Sequence, residues 1–309
     1  MKTKQAIIAE QLTKSYGDHL AVDHLSFEVE YGEIFAMIGP NGAGKSTTIR
    51  MILDIIRPDS GRVAVLGGPI TEEIKDRIGY LPEERGLYKN VPLVQLLAYL
   101  GQLKGMSKQD ASRRAAELLD RLELGEYKKS KMTALSKGMA QKVQFIATVL
   151  HHPELIIIDE PFSGLDPVNT QVLKDLLYQM KLEGSAVVMS THHMHQLQEM
   201  GDRMLMISEG RRVLYGSIQE VREQYAENAV TVSGSGNWDL LPGVVRVEHI
   251  KNGDVTLHLA PEATPDHLLR AIADGDYILR HFELAIPSLE EIFIRVAGGG
   301  SLETEKVPL

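Results

Sequence analysis

The fold is decided by the stretch Gly39-Pro40-Asn41-Gly42-Ala43-Gly44-Lys45-Ser46-Thr47, which fits the pattern G-x-x-x-x-G-K-[ST]. The residues just before it, Ile34–Ile38, are all apolar and predict a buried strand. Residues 48–56 predict a helix, because the apolar side chains of Ile49, Ile52, Leu53 and Ile56 recur at helical spacing. A strand, a glycine-rich loop and a helix in this order predict an α/β fold whose loop cradles phosphate groups.

Each residue type in this loop suits the binding of a nucleoside triphosphate. Glycines let backbone N–H groups converge on phosphate oxygens without Cβ clashes, and the helix N-terminus adds partial positive charge. Lys45 can reach the β- and γ-phosphates, and Ser46 can ligate Mg²⁺. The alternative, a glycine turn beside an ordinary surface lysine, does not account for the flanking strand and helix.

Length, composition and charge restrict the other possibilities. At 309 residues the chain is expected to form two domains, and its net charge of -9 argues against broad nucleic-acid binding. No apolar run approaches the roughly 18–20 residues that span a bilayer, and residues 1–5 lack the apolar region of a signal peptide. The sequence has no cysteine, which excludes disulfides, thiolate metal sites and cysteine nucleophiles and suits a cytosolic protein.

Residues 6–32 alternate loosely between apolar and polar side chains. This pattern predicts short antiparallel strands joined by the turn Tyr16-Gly17-Asp18. Tyr16 lies 23 residues before the glycine loop, at a turn where its ring has room to stack on a base. The alternative for Tyr16 is an exposed turn residue without a role.

Residues 92–150 are expected to be purely helical. Ser107 with Asp110 resembles a helix cap, and a third helix is expected to follow Ser136. Before this region, shorter strands are predicted at residues 63–66 and from Ile78 onward, the second running into a polar loop that contains Glu83. The helical region therefore interrupts a series of strands.

Two carboxylates follow the apolar residues 155–158, which predict a central parallel strand. Asp159 and Glu160 thus stand at a strand end, where ligands bind in open α/β sheets. We expect Asp159 to coordinate Mg²⁺, directly or through water, and Glu160 to polarise the water that attacks the γ-phosphate. The alternative is a solvated acidic turn.

A further strand is predicted at residues 186–191, with His192 at its end. Because this histidine follows a second strand end of the same kind, we expect it to sense the γ-phosphate rather than to be structural. His193 and His195 are expected to be surface or helix-cap residues. A metal site made by all three is disfavoured, because their spacing does not place them on one helical face.

These motifs together resemble the ATP-binding subunit of an ABC transporter over about residues 5–220. Residues 39–47 look like its Walker A motif, and residues 155–160 look like Walker B with the catalytic Glu160. The other matching positions are Tyr16 for adenine stacking, Glu83 in the Q-loop, the signature Leu135-Ser136-Lys137-Gly138-Met139, the D-loop Ser163-Gly164-Leu165-Asp166 and the switch histidine His192.

The chain departs from the family pattern at three of these positions. Glu83 replaces the usual glutamine; its carboxylate can still contact Mg²⁺ or the attacking water but adds negative charge near the phosphates. Lys137 and Met139 replace Gly and Gln of the signature, whereas Ser136 and Gly138 remain and are expected to contact phosphate. Lys137 either adds a cation near the γ-phosphate or is a solvated lysine at a helix start.

The resemblance implies a head-to-tail dimer, in which Ser136 of one subunit meets ATP held by Lys45 of the other, with Gly138 and Asp166 beside the nucleotide. The second ATPase subunit is a copy of this chain or a sister subunit. The resemblance also implies a separate integral-membrane permease that docks at about residues 80–105. The protein is therefore expected as a peripheral subunit on the cytoplasmic face of the cell membrane.

Residues 221–297 are expected to form a small α+β accessory domain, followed by a flexible tail at 298–309. Alternating strands, a hairpin turn at Asn252-Gly253, a helix opened by Thr264-Pro265 and a capping box at Ser288 support this prediction. The domain is similar to the accessory domain of export-type ABC ATPases, including sodium- and drug-exporter subunits.

We therefore expect an α/β P-loop NTPase core over residues 1–220, with an antiparallel β subdomain and a helical subdomain at about 90–150. The expected function is ATP hydrolysis, with ATP and Mg²⁺ bound, that drives a membrane exporter of unspecified cargo. The alternative is a soluble ABC-type ATPase acting on ribosomes or DNA, disfavoured because the sequence lacks a tandem ATPase domain, a long coiled coil and a basic patch. A P-loop kinase or GTPase is disfavoured by the motifs at Ser136 and Asp166.

Overall fold

The computed structural model describes residues 4–83, 86–162, 164–191, 194–250 and 253–297. The chain divides into two units, Met1–Ile218 and Gln219–Leu309. Several positions that the sequence singles out lie outside the described residues: Ser163, His192, His193, Asn252 and the tail at 298–309.

Strands and helices alternate along the first unit. Its strands are β1 (Gln5–Tyr16), β2 (His19–Glu30), β3 (Ile34–Ile38), β4 (Ser60–Val65), β5 (Ile78–Leu81), β6 (Leu155–Asp159), β7 (Ala186–Thr191), β8 (Arg203–Ser208) and β9 (Arg211–Ser217). Its helices are α1 (Lys45–Ile52), α2 (Glu72–Asp76), α3 (Leu93–Leu103), α4 (Lys108–Arg121), α5 (Lys137–Val149), α6 (Pro167–Leu182) and α7 (Met194–Met200).

The central sheet has the strand order β5-β6-β7-β3-β8-β9, in which only β9 is antiparallel to its neighbour. The predicted parallel strand at residues 155–158 is therefore confirmed as β6, which lies between β5 and β7. Every residue of β3, β6 and β7 is buried, as expected for parallel strands covered on both faces. Because these strands are parallel, the segments that follow them gather at one edge of the sheet.

A second sheet, with the order β2-β1-β4, is antiparallel and packs on the first. The predicted hairpin around Tyr16 is confirmed, since Tyr16 pairs with His19 across the turn. The rings of Phe27 in β2 and Phe35 in β3 stack with centroids 5.7 Å apart, so both sheets share one apolar core.

Helix α1 ends earlier than the sequence predicts, at Ile52 rather than near Ile56. Asp54 adopts a left-handed conformation, with φ of 53°. The N–H of Asp54 donates to the carbonyl of Met51, and the N–H of Ile55 donates to the carbonyl of Arg50. This pair of hydrogen bonds is a Schellman motif, which ends the helix while Ile56 still packs against the core.

Helices α3, α4 and α5 form the helical part of the first unit, and the predicted helical region is confirmed. Gly101 of α3 allows close packing, because a Cβ there would lie 3.0 Å from Ala111 of α4 and 3.0 Å from Leu150, just after α5. The buried Lys142 of α5 donates from its Nζ to the carbonyl of Leu122 over 2.9 Å. The three helices thus pack as one layer.

The second unit is an antiparallel sheet with helices. It contains α8 (Ile218–Gln224), β10 (Ala229–Ser235), β11 (Val244–His249), β12 (Asp254–Leu259), α9 (Pro265–Asp274), β13 (Ile278–Leu284) and α10 (Leu289–Ala297), with the sheet order β11-β12-β10-β13. Trp238 and Tyr277 stack in its core with centroids 5.3 Å apart. The predicted capping box is confirmed, because the N–H of Ser288 donates to Glu291 and the N–H of Glu291 donates to the Ser288 hydroxyl.

His151 makes the stability of the first unit depend on pH. Its Nε2 donates to the carbonyl of Ile78 over 3.2 Å, and burial lowers its pKa from 6.5 to about 4. The unfolded chain takes up a proton at this residue below pH 6.5, whereas the folded chain resists protonation until about pH 4. The free energy of unfolding should therefore fall by about 3 kcal/mol as the pH drops through this range.

Urea unfolding of His151→Gln tests this prediction, because glutamine can donate to Ile78 but does not titrate. The variant should lose that part of the pH dependence, while all other groups contribute equally to both proteins. The matched control is His195→Gln, since the His195 side chain is 86% exposed. Equal pH slopes for the unmodified protein and His151→Gln would contradict the assignment.

Candidate functional site

The glycine loop after β3 fits closely between neighbouring backbones. A Cβ on Gly39 would lie 2.2 Å from the carbonyl oxygen of Ile207 in β8, and one on Gly44 would lie 2.5 Å from the carbonyl oxygen of Ala21 in β2. Gly44 also has φ of 108° and is the N-cap of α1. Only glycine fits at these two positions, so the loop is held in a shape that keeps its backbone N–H groups accessible to an anion.

Lys45 lies at the base of this loop, and its side chain is largely buried. Its Nζ donates to the carbonyl oxygens of Gly39 over 2.7 Å and Pro40 over 3.1 Å. Burial lowers the pKa of Lys45, whereas the nearby carboxylates of Glu160, Asp159 and Glu83 act to raise it. The ammonium is thus held beside the loop, where phosphate oxygens can replace the carbonyl groups as acceptors.

Asp159 connects the glycine loop to β6 and β7. Its Oδ2 accepts from the hydroxyl of Ser46 over 3.2 Å, and its Oδ1 accepts a hydrogen bond from the hydroxyl of Ser190. A carboxylate and a hydroxyl side by side are oxygen ligands that suit Mg²⁺. No group of three or more His, Cys, Asp or Glu side chains is arranged to hold a metal within the described ranges. Mg²⁺ does not need one, because substrate phosphates and waters complete its shell.

Glu160 follows Asp159 in a strained backbone conformation, with φ of 52°. Its N–H donates to the carbonyl of Ser190 over 3.0 Å, and its Oε2 accepts from the hydroxyl of Thr191 over 3.1 Å. Strain of this kind persists where the surroundings fix a residue in a functional orientation. Ser190 and Thr191 are not among the predicted site residues, although their polarity at the end of the apolar β7 is a signal that marks them.

Glu83 comes to the same sheet edge as Glu160. Leu81 of β5 pairs with Ile158 of β6, and each glutamate lies two residues further along the chain, just beyond the end of its strand. Glu83 is exposed. His192, the predicted switch histidine, comes directly after β7 and lies outside the described residues.

Ser136, Gly138 and Leu165 lie close together at the start of α5. The hydroxyl of Ser136 caps α5 by accepting from the N–H of Met139 over 3.3 Å. A Cβ on Gly138 would lie 3.7 Å from Leu165, so the start of α5 packs beside the D-loop. Asp166 caps α6 by accepting from the N–H of Asn169 over 2.9 Å. Between the residues described here, no hydrogen bond joins Ser136 or Asp166 to residues 39–47.

Gln141 of α5 ties this surface to the segment that follows Glu160. Its Nε2 donates to the carbonyl of Pro161 over 2.6 Å, and its side chain is buried. This hydrogen bond therefore links α5 to the segment that follows β6 within one chain.

Tyr16 lies at the end of β1 with its ring 49% exposed. The Lys14 Nζ lies 5.9 Å from the ring centroid, and Lys14 also pairs with Asp59 over 2.7 Å. The side chain is thus partly open to solvent, which stacking on a base requires. Adenine stacking by Tyr16 stays a prediction.

A groove of about 680 Å³ lies between β5, α1, α3 and α5. Apolar side chains line much of it, including Ile55 and Leu103, each 58% exposed. Lys75 and Lys104 add positive charge to its wall. None of the helices in the described ranges is long and apolar enough to cross a membrane.

Comparisons with known proteins match both units. The model of the ABC transporter family matches residues 22–163, and that of the DrrA1-3-like ATP-binding protein C-terminal domain matches residues 216–297. The Bacillus subtilis ABC transporter ATP-binding protein YhaQ is 38% identical, covering 94% of this chain and 97% of that protein. The Nod factor export ATP-binding protein I of a Rhizobium species is 31% identical, over 96% of this chain and 98% of that protein.

A solved structure of an ATP-binding subunit of an ABC transporter has a TM-score of 0.68 and 31% identity, and covers 71% of this chain and 93% of its own. The predicted fold class, an α/β P-loop ATPase core with additional β and helical parts, is thereby confirmed. The assignment of individual residues to roles in the site stays a prediction.

Gly44→Ala should force the loop out of its present backbone conformation. The new Cβ would meet the Ala21 carbonyl, and a residue other than glycine at positive φ costs about 1–2 kcal/mol in addition. The matched control is Gly42→Ala, because Gly42 also has positive φ, 80°, but a Cβ there meets nothing within 4 Å. Affinity for ATP, measured by titration calorimetry, should fall at least about tenfold further in Gly44→Ala than in Gly42→Ala. Equal losses would show that the Ala21 contact does not shape the loop.

Proposed function

The chain belongs to the family of ABC transporter ATP-binding proteins, and we propose that it is the ATPase subunit of an exporter. As a member of this family it binds nucleotide and hydrolyses ATP. The observation that carries the proposal is the hydrogen bond from Ser46 to Asp159, with Glu160 next in sequence, beside a loop whose positions 39 and 44 accept only glycine. Export is supported by the similarity of the whole chain to a Nod factor export protein.

In the proposed site, the backbone of residues 39–44 and the ammonium of Lys45 bind the β- and γ-phosphates. Ser46 and Asp159 hold Mg²⁺, with Ser190 orienting the Asp159 carboxylate. When bound, Mg²⁺ supplies positive charge to the phosphate oxygens and fixes their orientation. Tyr16 stacks on the adenine ring, and Asp166 lies beside the nucleotide in the dimer.

Glu160 is the proposed general base. Its carboxylate accepts a proton from the attacking water, and the hydroxyl of Thr191 holds one carboxylate oxygen in place. His192 contacts the γ-phosphate and reports its presence, and Glu83 contacts Mg²⁺ or the water. Glu83, Glu160 and Thr191 support these roles because they stand at or just beyond the ends of the neighbouring strands β5, β6 and β7.

We further propose that hydrolysis requires a head-to-tail dimer. Ser136 and Gly138 lie at the exposed start of α5 and make no hydrogen bond to the loop at residues 39–47 of their own chain, as far as the described residues show. Facing the loop of a second chain, they would place a hydroxyl and helix N–H groups at the γ-phosphate. The partner is a second copy of this chain or a sister subunit.

The groove beside β5 is the proposed docking site of an integral-membrane permease. It includes part of the predicted region at 80–105, and its apolar lining with exposed Ile55 and Leu103 suits an amphipathic helix. Such docking would place the protein on the cytoplasmic face of the cell membrane. The second unit, residues 221–297 by our sequence boundary, is proposed as an accessory domain of the same subunit.

Glu160→Gln should stop turnover but keep ATP binding. Glutamine cannot take a proton from water, so the rate should fall by about 100-fold or more. The dimer closed by ATP should then persist and elute as a dimer in size-exclusion chromatography. Undiminished hydrolysis would refute the role of Glu160 as the base.

Adding Ser136→Arg to Glu160→Gln tests the dimer arrangement in the same experiment. The large side chain should block the approach of the second chain, so ATP should no longer produce a dimer, although each monomer still binds ATP. A dimer that survives this substitution would refute the proposed contribution of Ser136 across the interface.

Leu103→Glu tests the docking groove. Residue 103 is exposed, so the substitution should leave folding and basal ATP hydrolysis unchanged, but it places a charge where an apolar contact is proposed. In fractionated native cells, the variant should leave the membrane fraction. Leu182→Glu is the matched control, because Leu182 is 68% exposed at the end of α6 and does not line the groove.

Two outcomes of this fractionation would count against the proposal. Retention of Leu103→Glu in the membrane would show that the groove is not the docking site. An unmodified protein that stays wholly soluble, without a membrane partner, would favour the alternative of an ABC-type ATPase that acts on a cytosolic machine.

A further inference from the structure

The phosphate site carries an excess of negative charge before any nucleotide binds. Glu83 and Glu160 each lie two residues after the paired Leu81 and Ile158 of neighbouring strands, and Asp159 precedes Glu160. All three carboxylates act on Lys45, the buried cation of the site. Three negative groups therefore surround one ammonium at the place where a triphosphate must enter, and each of them repels it.

Glu83 differs from the other two carboxylates, because no hydrogen bond to a side chain fixes it among the described residues. Asp159 is held by two serine hydroxyls, and Glu160 accepts from Thr191. Glu83 is exposed on the loop after β5, and no hydrogen bond or ion pair to it occurs among the described residues. Its charge thus adds to the repulsion, and Lys45, which it shares with Asp159 and Glu160, is the cation on which it acts among the described residues.

Lys137 presents a positive charge on the face of the molecule that carries the signature residues. It is the first residue of α5, directly after Ser136, and it is exposed. Its Nζ lies 3.6 Å from the position that a Cβ on Gly164 would occupy, so the side chain lies beside Gly164. No carboxylate pairs with it in the part of the chain that the structure describes.

We propose that Lys137 of one chain offsets the charge of Glu83 in the other chain when the dimer closes on ATP. This inference rests on the proposed head-to-tail dimer, in which Ser136 reaches the γ-phosphate held by the opposite Lys45. The adjacent Lys137 then brings its ammonium to the same phosphate, near Glu83 on the loop that follows β5. Closure thereby adds one positive charge to the site, and this charge offsets the negative charge of Glu83.

If Lys137 offsets the charge of Glu83, the effect of substituting one of these residues should depend on whether the other is present. Removing the Lys137 charge should be costly while Glu83 is ionised, because the repulsion on the phosphates is then unopposed. The same removal should matter little once the charge of Glu83 is gone. A solvated lysine at a helix start would show no such dependence on residue 83.

The test is a double-mutant cycle built on Glu160→Gln, with Lys137→Met, Glu83→Gln and their combination. The ATP concentration that gives half-maximal dimer is measured by size-exclusion chromatography with light scattering. Lys137→Met should raise it by about tenfold, and the combined variant should return to within about twofold of the starting protein. Lys137→Arg should preserve the starting value, because it keeps the charge.

Lys108→Met is the matched control. Lys108 is likewise exposed, follows a capping serine and begins a helix, α4, but this helix does not carry the signature residues. It should leave the ATP dependence unchanged, and the melting temperatures of Lys108→Met and Lys137→Met should agree. A tenfold effect of Lys108→Met would assign the loss to the helix start rather than to the phosphate site.

The outcomes separate this inference from the function on which it rests. If ATP produces the dimer but Lys137→Met costs the same with and without the Glu83→Gln substitution, the charge offset is wrong and the dimer stands. If ATP produces no dimer of Glu160→Gln under any condition, the head-to-tail arrangement and the offset both fail.

Discussion

The hydrogen bonds that Asp159 accepts from Ser46 and Ser190 are the contact on which the rest of the site depends. In the sheet, β7 lies between β6 and β3, so the acidic strand end and the glycine loop are not adjacent. Ser190 on the middle strand receives Asp159 from one side, while Ser46 reaches it from the helix that follows β3. Register fixes this meeting, because Asp159 pairs with Ser190 and Ile38 pairs with Thr191. A slip of one residue would turn these side chains to the opposite face.

The same geometry places several carboxylates near the proposed phosphate site, where they repel an anionic ligand. Parallel strands that end together bring carboxylates close to one another. These carboxylates favour the charged form of Lys45, whereas its burial disfavours that form. A triphosphate adds further negative charge, so binding depends on fixed backbone dipoles, on a divalent cation and on positive charge from elsewhere. In the proposed dimer the start of α5 would supply such charge through helix N–H groups and through Lys137, whose side chain is exposed in the single chain.

Local patterns predicted the parts of the molecule that local physics determines. The glycine loop, the helix caps at Ser107, Thr264 and Ser288, and the buried strand β6 each depend on a few neighbouring residues, and each is found where predicted. The early end of α1 was missed, because its apolar spacing continues to Ile56 although Asp54 turns the backbone. Ser190 and Thr191 were missed for another reason: their importance arises from pairing with a strand far away in sequence, which periodicity does not encode.

Helix α5 connects three features that the sequence presents separately. Its start carries Ser136, its middle carries Gln141 bonded to the carbonyl after Glu160, and Gln144, Ala147 and Thr148 further along line the apolar groove. From Ser136 to Thr148 these residues span about 18 Å, nearly the whole length of the helix. A rigid element of this length transmits a displacement at the groove to the signature face and to the strand end together. The arrangement would give hydrolysis and the proposed docking a common mechanical part, since α5 links the groove to the contact beside Glu160.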